Sequence, residues 1–403
     1  MTGNSTPVLI VGGGIGGLTL ALSLATLGRR SHILEARPVF SEAGAGIQLG
    51  PNATRVLSQI GVADLLAESV SRPAAIKVRD ARTARSISEL PLGDWIEERH
   101  NAPYWVAHRV DLQAALVAKA TASPLIKISM NYKITELDNG KDADKVTAIS
   151  ENGQSVSGDI LVGSDGLWST VRKYLYPDYN LPYSGTTAAR AILQKNDIPP
   201  DFLENVTSCW LAPNAHVVHY PVRAGQALAI IVVTSAPQPS EGWGAAVPSE
   251  EIMAATADFN KELRDLLARA KNWHRWALFT PAPLKKWSRG RVTLLGDAAH
   301  PILPFLAQGG AMAIEDAIVL AWELTKYHDS HDIAFYAYEA QRRNRVRHIQ
   351  KTSRDNGKAY HLKGVSASAR NIVLSALSPA RMMQRYDWVY GWQHNRDIGE
   401  IKL

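Results

Sequence analysis

The chain is 403 residues long, more than one ordinary core accommodates, so two domains are expected. Its 46% apolar content is that of a globular protein, and no run approaches the ~18 apolar residues that span a bilayer. The net charge of +6 comes from scattered lysines and arginines, which excludes a nucleic-acid-binding basic block and leaves room for steering of small anions.

Pro7-Val8-Leu9-Ile10-Val11 is a β-type run that feeds directly into Gly12-Gly13-Gly14-Ile15-Gly16-Gly17. Leu18 to Leu27 then reads as a buried helix closed by Gly28. Gly12, Gly14 and Gly17 give the G-x-G-x-x-G spacing. Gly12 permits the tight turn, Gly14 lets the backbone approach a pyrophosphate, and Gly17 lets the helix pack close on the strand. The helix N-terminus offers its N–H groups to the anion. The next strand, Arg30 to Glu35, ends in an acid at the distance where a carboxylate meets an adenosine ribose, with Ala36 beside it. Strand, turn, helix, strand and acid together predict a dinucleotide site, which the glycines alone would not.

Ser41 to Asn52 is too rich in glycine for a regular element and is expected as an irregular loop approaching a ligand. Arg109 stands at the entry of a predicted helix, a poor place for a guanidinium unless an anion sits there. Residues 120–160 read as short strands and a hairpin, with Tyr132-Lys133-Ile134 among them. A further β-type run over Gly158–Ser164 leads into Asp165-Gly166. From about 180 to 285 strands alternate with Pro/Gly turns, which predicts an antiparallel sheet without a phosphate-cradling loop. In its strand His216-Val217-Val218-His219-Tyr220, alternation puts His216, Val218 and Tyr220 on one face and His219 on the other. The single cysteine, Cys209, excludes an internal disulfide and is expected as a buried filler in a reducing cytoplasm. Arg291 to Leu295 leads into Gly296-Asp297-Ala298-Ala299-His300. Two prolines then delay the next helix until Gly309-Gly310-Ala311. The basic, helical C-terminal stretch ends in aromatic residues, Tyr386 to Trp392, expected in a core or homodimer contact. The histidines show no metal-site spacing, so no metal is expected.

The glycine fingerprint, Asp165-Gly166 and Gly296-Asp297 occur in order over nearly the whole chain. In this the sequence resembles the single-component flavin-dependent aromatic hydroxylases, the class A flavoprotein monooxygenases. The resemblance implies an α/β fold with a discontinuous Rossmann-like FAD-binding domain over 1–178 and 286–345. An antiparallel-sheet substrate domain over 179–285 and a C-terminal helical segment over 346–403 complete it. It also implies non-covalent FAD held by Gly12, Gly14, Gly16, Gly17, Glu35, Ala36, Arg109, Ile134, Asp165, Asp297, Gly309, Gly310 and Ala311, with Gln48 nearest the flavin ring. Related hydroxylases of 3-hydroxybenzoate and 6-hydroxynicotinate place a histidine and a tyrosine with the spacing of His216 and Tyr220 over the substrate ring. Related hydroxybenzoate hydroxylases have a glutamine facing the substrate pocket at the position of Gln308.

The implied chemistry is reduction of FAD by transiently bound NADH, then addition of O2 to give an electrophilic flavin C4a-hydroperoxide. That species needs an electron-rich phenol, for which a histidine titrating near pH 7 is the natural base. Conversion of 3-hydroxybenzoate to gentisate is the favoured expectation, ahead of decarboxylative hydroxylation of salicylate or hydroxylation of a hydroxypyridine carboxylate. Gln48 speaks against the pyridine, because 6-hydroxynicotinate hydroxylases hold a histidine there. The alternative from another class is a non-enzymatic FAD-binding redox protein, whose NADH oxidation no aromatic acid would stimulate.

Overall fold

The computed structural model describes residues 7–40, 46–139, 144–238 and 244–394. β1 (Val8–Val11), α1 (Ile15–Thr26) and β2 (Ser31–Leu34) form the first unit, where the apolar run and the glycine turn place them. α1 is buried along most of its length, so packing rather than helix propensity holds it. β3 (Gly46–Leu49) pairs antiparallel with β6 (Trp105–His108), so part of the expected irregular loop is a strand. Gly46 serves close approach rather than a break: a Cβ there would stand 2.3 Å from a ring carbon of Tyr220. Residues 41–45 of that loop lie outside the described residues.

β4 (Ala75–Asp80) and β5 (Ser86–Pro91) form a hairpin, and α2 (Arg109–Thr121) follows β6. β7 (Ile126–Ser129) precedes a meander of β8 (Ile134–Asp138), β9 (Val146–Ser150) and β10 (Ser155–Gly158). Next come β11 (Leu161–Gly163) and α3 (Thr170–Leu175). A second stretch supplies β12 (Tyr183–Gln194), β13 (Thr207–Ala212), β14 (Ala215–Val222), β15 (Ala227–Ser235), β16 (Ala245–Val247) and β17 (Trp273–Phe279). The chain then returns through β18 (Ser288–Arg289) and β19 (Val292–Leu294) to α4 (Gly309–Lys326), α5 (His331–Tyr360) and α6 (Gly364–Ala376).

Two sheets organise these elements. The first has the order β18-β19-β11-β1-β2-β7 and is parallel except for β18. Its strands β1, β2, β11 and β19 all end at one edge, which gathers Gly12, Glu35, Asp165 and Gly296-Asp297 although 285 positions separate the first and last. Ligands of open parallel sheets bind at this carboxyl edge. The second sheet has the order β16-β17-β12-β15-β14-β13-β4-β5 and is antiparallel except where β13 runs parallel to β4. The hairpin β4–β5 therefore joins the sheet expected from residues 180–285, although it lies a hundred positions earlier.

α5 runs unbroken across the expected border between residues 345 and 346. Side chains on both sides of that point are anchored to the same part of the fold: Arg342 and Arg345 bind Glu315 on α4, and beyond the border Gln350 and Ser353 donate to the carbonyls of Pro301 and Leu303. The aromatic C-terminal stretch packs inward. Tyr390 is buried, Trp388 stacks on His348 at 3.8 Å, and the guanidinium of Arg342 lies 5.2 Å from the Trp392 ring. Cys209 is buried, and burial pushes its thiol up to about 12, so it is an inert filler at neutral pH.

Candidate active site

The glycine turn separates into structural and open positions. Gly12 has a φ of +99° and sits against the Ser164 carbonyl, and a Cβ on Gly17 would stand 2.1 Å from the Gly12 oxygen. Gly16 lies against Leu295 and Ala313, which seats α1 on α4. Gly14, in contrast, has nothing within 4 Å of where its Cβ would be. No side chain caps α1 at Gly14, so the first-turn N–H groups face this open space. Glu35 is buried at the end of β2 and accepts from Gly13 N at 2.7 Å and Arg37 N at 3.0 Å. Its carboxylate is thereby set beside the turn, and exposed Ala36 leads away from it.

The other two motifs are joined to each other. Asp165 is half-buried and accepts from Ser169 Oγ at 2.5 Å and Val171 N at 3.1 Å, which caps the start of α3. Burial pushes its carboxyl up, and these hydrogen bonds act against that. Arg172, on α3, donates through Nη1 to the carbonyls of Asp297 and Ala298, and through Nη2 to that of Leu167. One guanidinium so clamps the Asp165-Gly166 turn to the Gly296-Asp297 turn. Asp297 is open to solvent at this edge; desolvation by the surrounding protein raises its carboxyl, and the charges of His300, Arg109 and Arg172 oppose the rise. His300 bonds Asp316 at 2.5 Å, and Asp316 also accepts from Gly296 N at 3.1 Å. His300 is therefore tied into the fold through Asp316.

α4 begins without a side-chain cap at Gln308. Gly309 is open, Gly310 lies against Ile47 of β3, and Ala311 is buried. This uncapped helix start points its N–H groups at the edge where β3 carries Gln48, whose Oε1 accepts from the Tyr104 hydroxyl at 2.6 Å. Gln308 is 1% exposed and accepts from Asn52. Ile134 is buried at the start of β8, near the Glu35 end of β2, since Tyr132 N donates to the Glu35 carbonyl.

The second sheet turns one face to this edge. His216 packs on Phe305 and Tyr360, and Tyr220 donates to the Gly46 carbonyl at 2.9 Å. His219 points the opposite way, between Phe202 and Trp210. Register extends the first face across the sheet: His216 pairs with Val233 and Val233 with Ala188, while Val218 pairs with Ile231 and Ile231 with Arg190. Arg190 therefore belongs to the His216–Tyr220 face, its guanidinium 4.8 Å from the Trp276 ring and its Nε without a hydrogen bond. Burial lowers its pKa, and the Tyr220 phenol, pushed up to about 12 by burial, feels both Arg190 and Arg109.

His216 departs from expectation in one respect. Burial, with His361 beside it, holds it down at about 3 rather than near 7. It is thus neutral and carries a lone pair throughout the physiological range. An anion brought alongside would raise it.

Tyr104, Arg172, Arg190 and His361 had no place in the sequence reading. Arg172 stands three residues after the Asp-Gly-x-x-Ser sequence that it helps close, and Arg190 follows alternation from the strand's alanines; the other two carry no local signal.

Residues 5–353 match the family described as FAD binding domain. The chain is 35% identical over 385 residues to 3-hydroxybenzoate 6-hydroxylase 1 of Aquipseudomonas alcaligenes, covering 95% of this chain and 97% of that one. It is 34% identical over 358 residues to 6-hydroxynicotinate 3-monooxygenase of Bordetella bronchiseptica, covering 87% and 91%. Among solved structures, Klebsiella pneumoniae HpxO complexed with FAD and uric acid superposes with a TM-score of 0.83 at 24% identity, over 96% of each chain. A salicylate hydroxylase substrate complex gives 0.79 at 24% identity, over 98% of this chain and 96% of that one.

Proposed function

The chain belongs to the FAD binding domain family and is a flavin-dependent aromatic monooxygenase, and from that premise we propose its substrate and the residues that handle it. The proposed substrate is a hydroxylated aromatic carboxylate, with 3-hydroxybenzoate, converted to gentisate with NADH and O2, the favoured member. The observation that carries this reading is that a base, a hydroxyl and a cation, His216, Tyr220 and Arg190, share one sheet face. A phenol needs the first two and a carboxylate the third. The relatives named as 3-hydroxybenzoate hydroxylases, at 35% identity over nearly the whole chain, support the same choice.

FAD fits the residues at the carboxyl edge. Open Gly14 and the α1 N-terminus accommodate a pyrophosphate, with Gly12, Gly16 and Gly17 shaping the turn around it. Glu35, with Ala36 and Ile134 nearby, addresses the ribose and adenine end. Arg109, Asp165 and Asp297 line the connecting chain. Gly309, Gly310 and Ala311 at the α4 N-terminus would hold the flavin end, and Gln48 on β3 would stand nearest its ring. Bound there, FAD supplies hydride storage and activation of dioxygen.

This chain's residues do the rest. Neutral His216 accepts the phenolic proton, which makes the ring electron-rich. Tyr220 orients the substrate, and Gln308 bounds the pocket from the α4 end. The apolar face of Phe305, Val233 and Ala188 excludes water. Gln48 favours a benzoate over a hydroxypyridine carboxylate, and salicylate is the next candidate.

The test is NADH consumption with product identification across hydroxybenzoates, salicylate and hydroxypyridine carboxylates. Fast, substrate-stimulated oxidation yielding gentisate from 3-hydroxybenzoate is expected. Full-rate oxidation without any aromatic acid would overturn the reading in favour of a redox protein or oxidase.

A further inference from the structure

His216 takes its hydrogen bond from the far end of the chain. Its Nδ1 lies 2.8 Å from Nε2 of His361, 145 residues later, at the C-terminal end of α5. His216 is 2% exposed, whereas His361 is half-buried, so the pair leads from the buried sheet face towards the surface. The His216 Nε2 has no hydrogen bond among the described residues, and neither does the His361 Nδ1.

Among the described residues no carboxylate acts on either imidazole, and Asp80 faces Arg370 instead. Phe305 of the loop before α4 and Tyr360 of α5 enclose His216 with their rings. Tyr360 and Cys209 of β13 are both raised by burial and uncharged. Arg370 of α6 is the charged neighbour of His361, and it donates to the carbonyls of Ala359 and Tyr360, which fixes the end of α5 in place. A proton that arrives on His216 therefore has one imidazole to move to.

We propose that His361 is the positioning residue through which His216 passes a phenolic proton from the bound aromatic acid to solvent. The proposal rests on the reading of His216 as the group that meets the phenol. Both rings hold their proton on Nδ1. The phenol O–H bond breaks and its proton joins His216 Nε2. The Nδ1 proton of His216 crosses to His361 Nε2, and the Nδ1 proton of His361 leaves to water. Both rings end neutral, in their opposite tautomers, and the substrate ends as a phenolate. No oxidant or further reactant is required.

The experiment uses the oxidised holoenzyme without NADH and a carboxylated nitrophenol, 3-hydroxy-4-nitrobenzoate, at a pH where the free probe is still a phenol. Stopped-flow difference spectra read the phenolate band, and a titration reads affinity. In wild type the band should appear with binding. His361→Phe should slow it by about tenfold or more, a fraction of what a general base contributes, with affinity within about threefold. His361→Gln is the near-isosteric companion and carries the test if the phenylalanine variant loses FAD. Its Oε1 can accept from His216 Nδ1 but cannot carry a proton, so it should stay slow. Wild-type rates in both variants would overturn the relay, and so would full rescue by glutamine, which would leave His361 a tautomer-setting role only. Absence of any phenolate band in wild type, with His216→Asn binding the probe equally well, would instead overturn the reading of His216 itself.

Discussion

Asn52 donates from Nδ2 to Gln308 Oε1 at 2.9 Å and to Glu315 Oε1 at 2.7 Å. A carboxylate only accepts, so Glu315 fixes which end of the Asn52 amide faces it, and Asn52 in turn claims the oxygen of Gln308. The residue that opens α4 is thus left with its Nε2 donors for a further partner. All three side chains are buried. Asn52→Ala should cost about 1.5–3 kcal/mol, the range for a hydrogen bond to a charged group, measured by urea unfolding. A change within error would mean that the amide chain contributes nothing to holding α4.

Glu315 also receives Arg342 at 2.5 Å and Arg345 at 2.7 Å, while Arg342 Nε reaches Asp316 at 2.7 Å. Burial lowers Arg342, but Glu315 and Asp316 outweigh it and hold the guanidinium firmly charged. Arg342→Met removes one positive charge and leaves two buried acids with Arg345 and His300 to share. The expected loss is about 3–5 kcal/mol, as for any broken buried ion pair. The same unfolding measurement checks it, and a loss below that of Asn52→Ala would contradict the argument.

The two glycines of the fingerprint should fail differently. An alanine Cβ at position 17 would meet the Gly12 carbonyl at 2.1 Å and Ser164 Oγ at 2.6 Å, both fixed by the turn. Gly17→Ala should therefore lower stability by more than about 3 kcal/mol, beyond ordinary overpacking. At Gly14 the same methyl meets nothing. Gly14→Ala should fold with normal unfolding behaviour once stripped of cofactor, yet bind FAD more weakly. Thermal melts of the apoprotein beside FAD titrations separate the cases, and normal FAD binding by Gly14→Ala would show that the space serves another purpose.

What the sequence discloses and what it hides divide along one line. The β1-turn-α1-β2 unit and the facing of His216 and Tyr220 against His219 are legible because periods of 2 and 3.6 are local. The pairing of β13 with β4 joins residues 131 apart, and nothing within either strand announces it. His361 meets His216 across a similar gap, in a helix whose own pattern is merely basic. Gln48 was misplaced in an irregular loop because glycine content signals close approach and strand breaking alike; here Gly46 makes room for the Tyr220 ring.

Acid should destabilise the protein through its buried histidines, and His219 isolates the effect. Burial and Arg79 hold it at about 3, far below the 6.5 of an exposed imidazole, and both its ring nitrogens lack partners. The folded state keeps it neutral while the unfolded chain takes up a proton below pH 6.5. Stability is therefore lost as pH falls from about 6.5 towards 3, by about 2 kcal/mol at pH 5 from this residue. His219→Leu should flatten the fall in melting temperature between pH 7 and pH 5 and leave turnover intact. An unchanged pH slope would mean that His219 is protonated in the folded protein.

The same pair of histidines decides whether the sheet face handles substrate. His216→Asn keeps a polar group of similar reach but removes the base, so hydroxylation should fall by about 10²-fold or more, with FAD still bound. Dioxygen activation does not need the base, so part of the NADH consumed should return as hydrogen peroxide instead of product. Tyr220→Phe should be milder, because its hydroxyl already serves the Gly46 carbonyl, and the loss is one hydrogen bond worth about 0.5–1.5 kcal/mol. His219→Leu, on the opposite face between Phe202 and Trp210, should couple NADH to product as wild type does. Product and peroxide per NADH, measured side by side for the three variants, provide the comparison. If His216→Asn stayed fully coupled and lost only thermal stability, that face of β14 would be packing and nothing more.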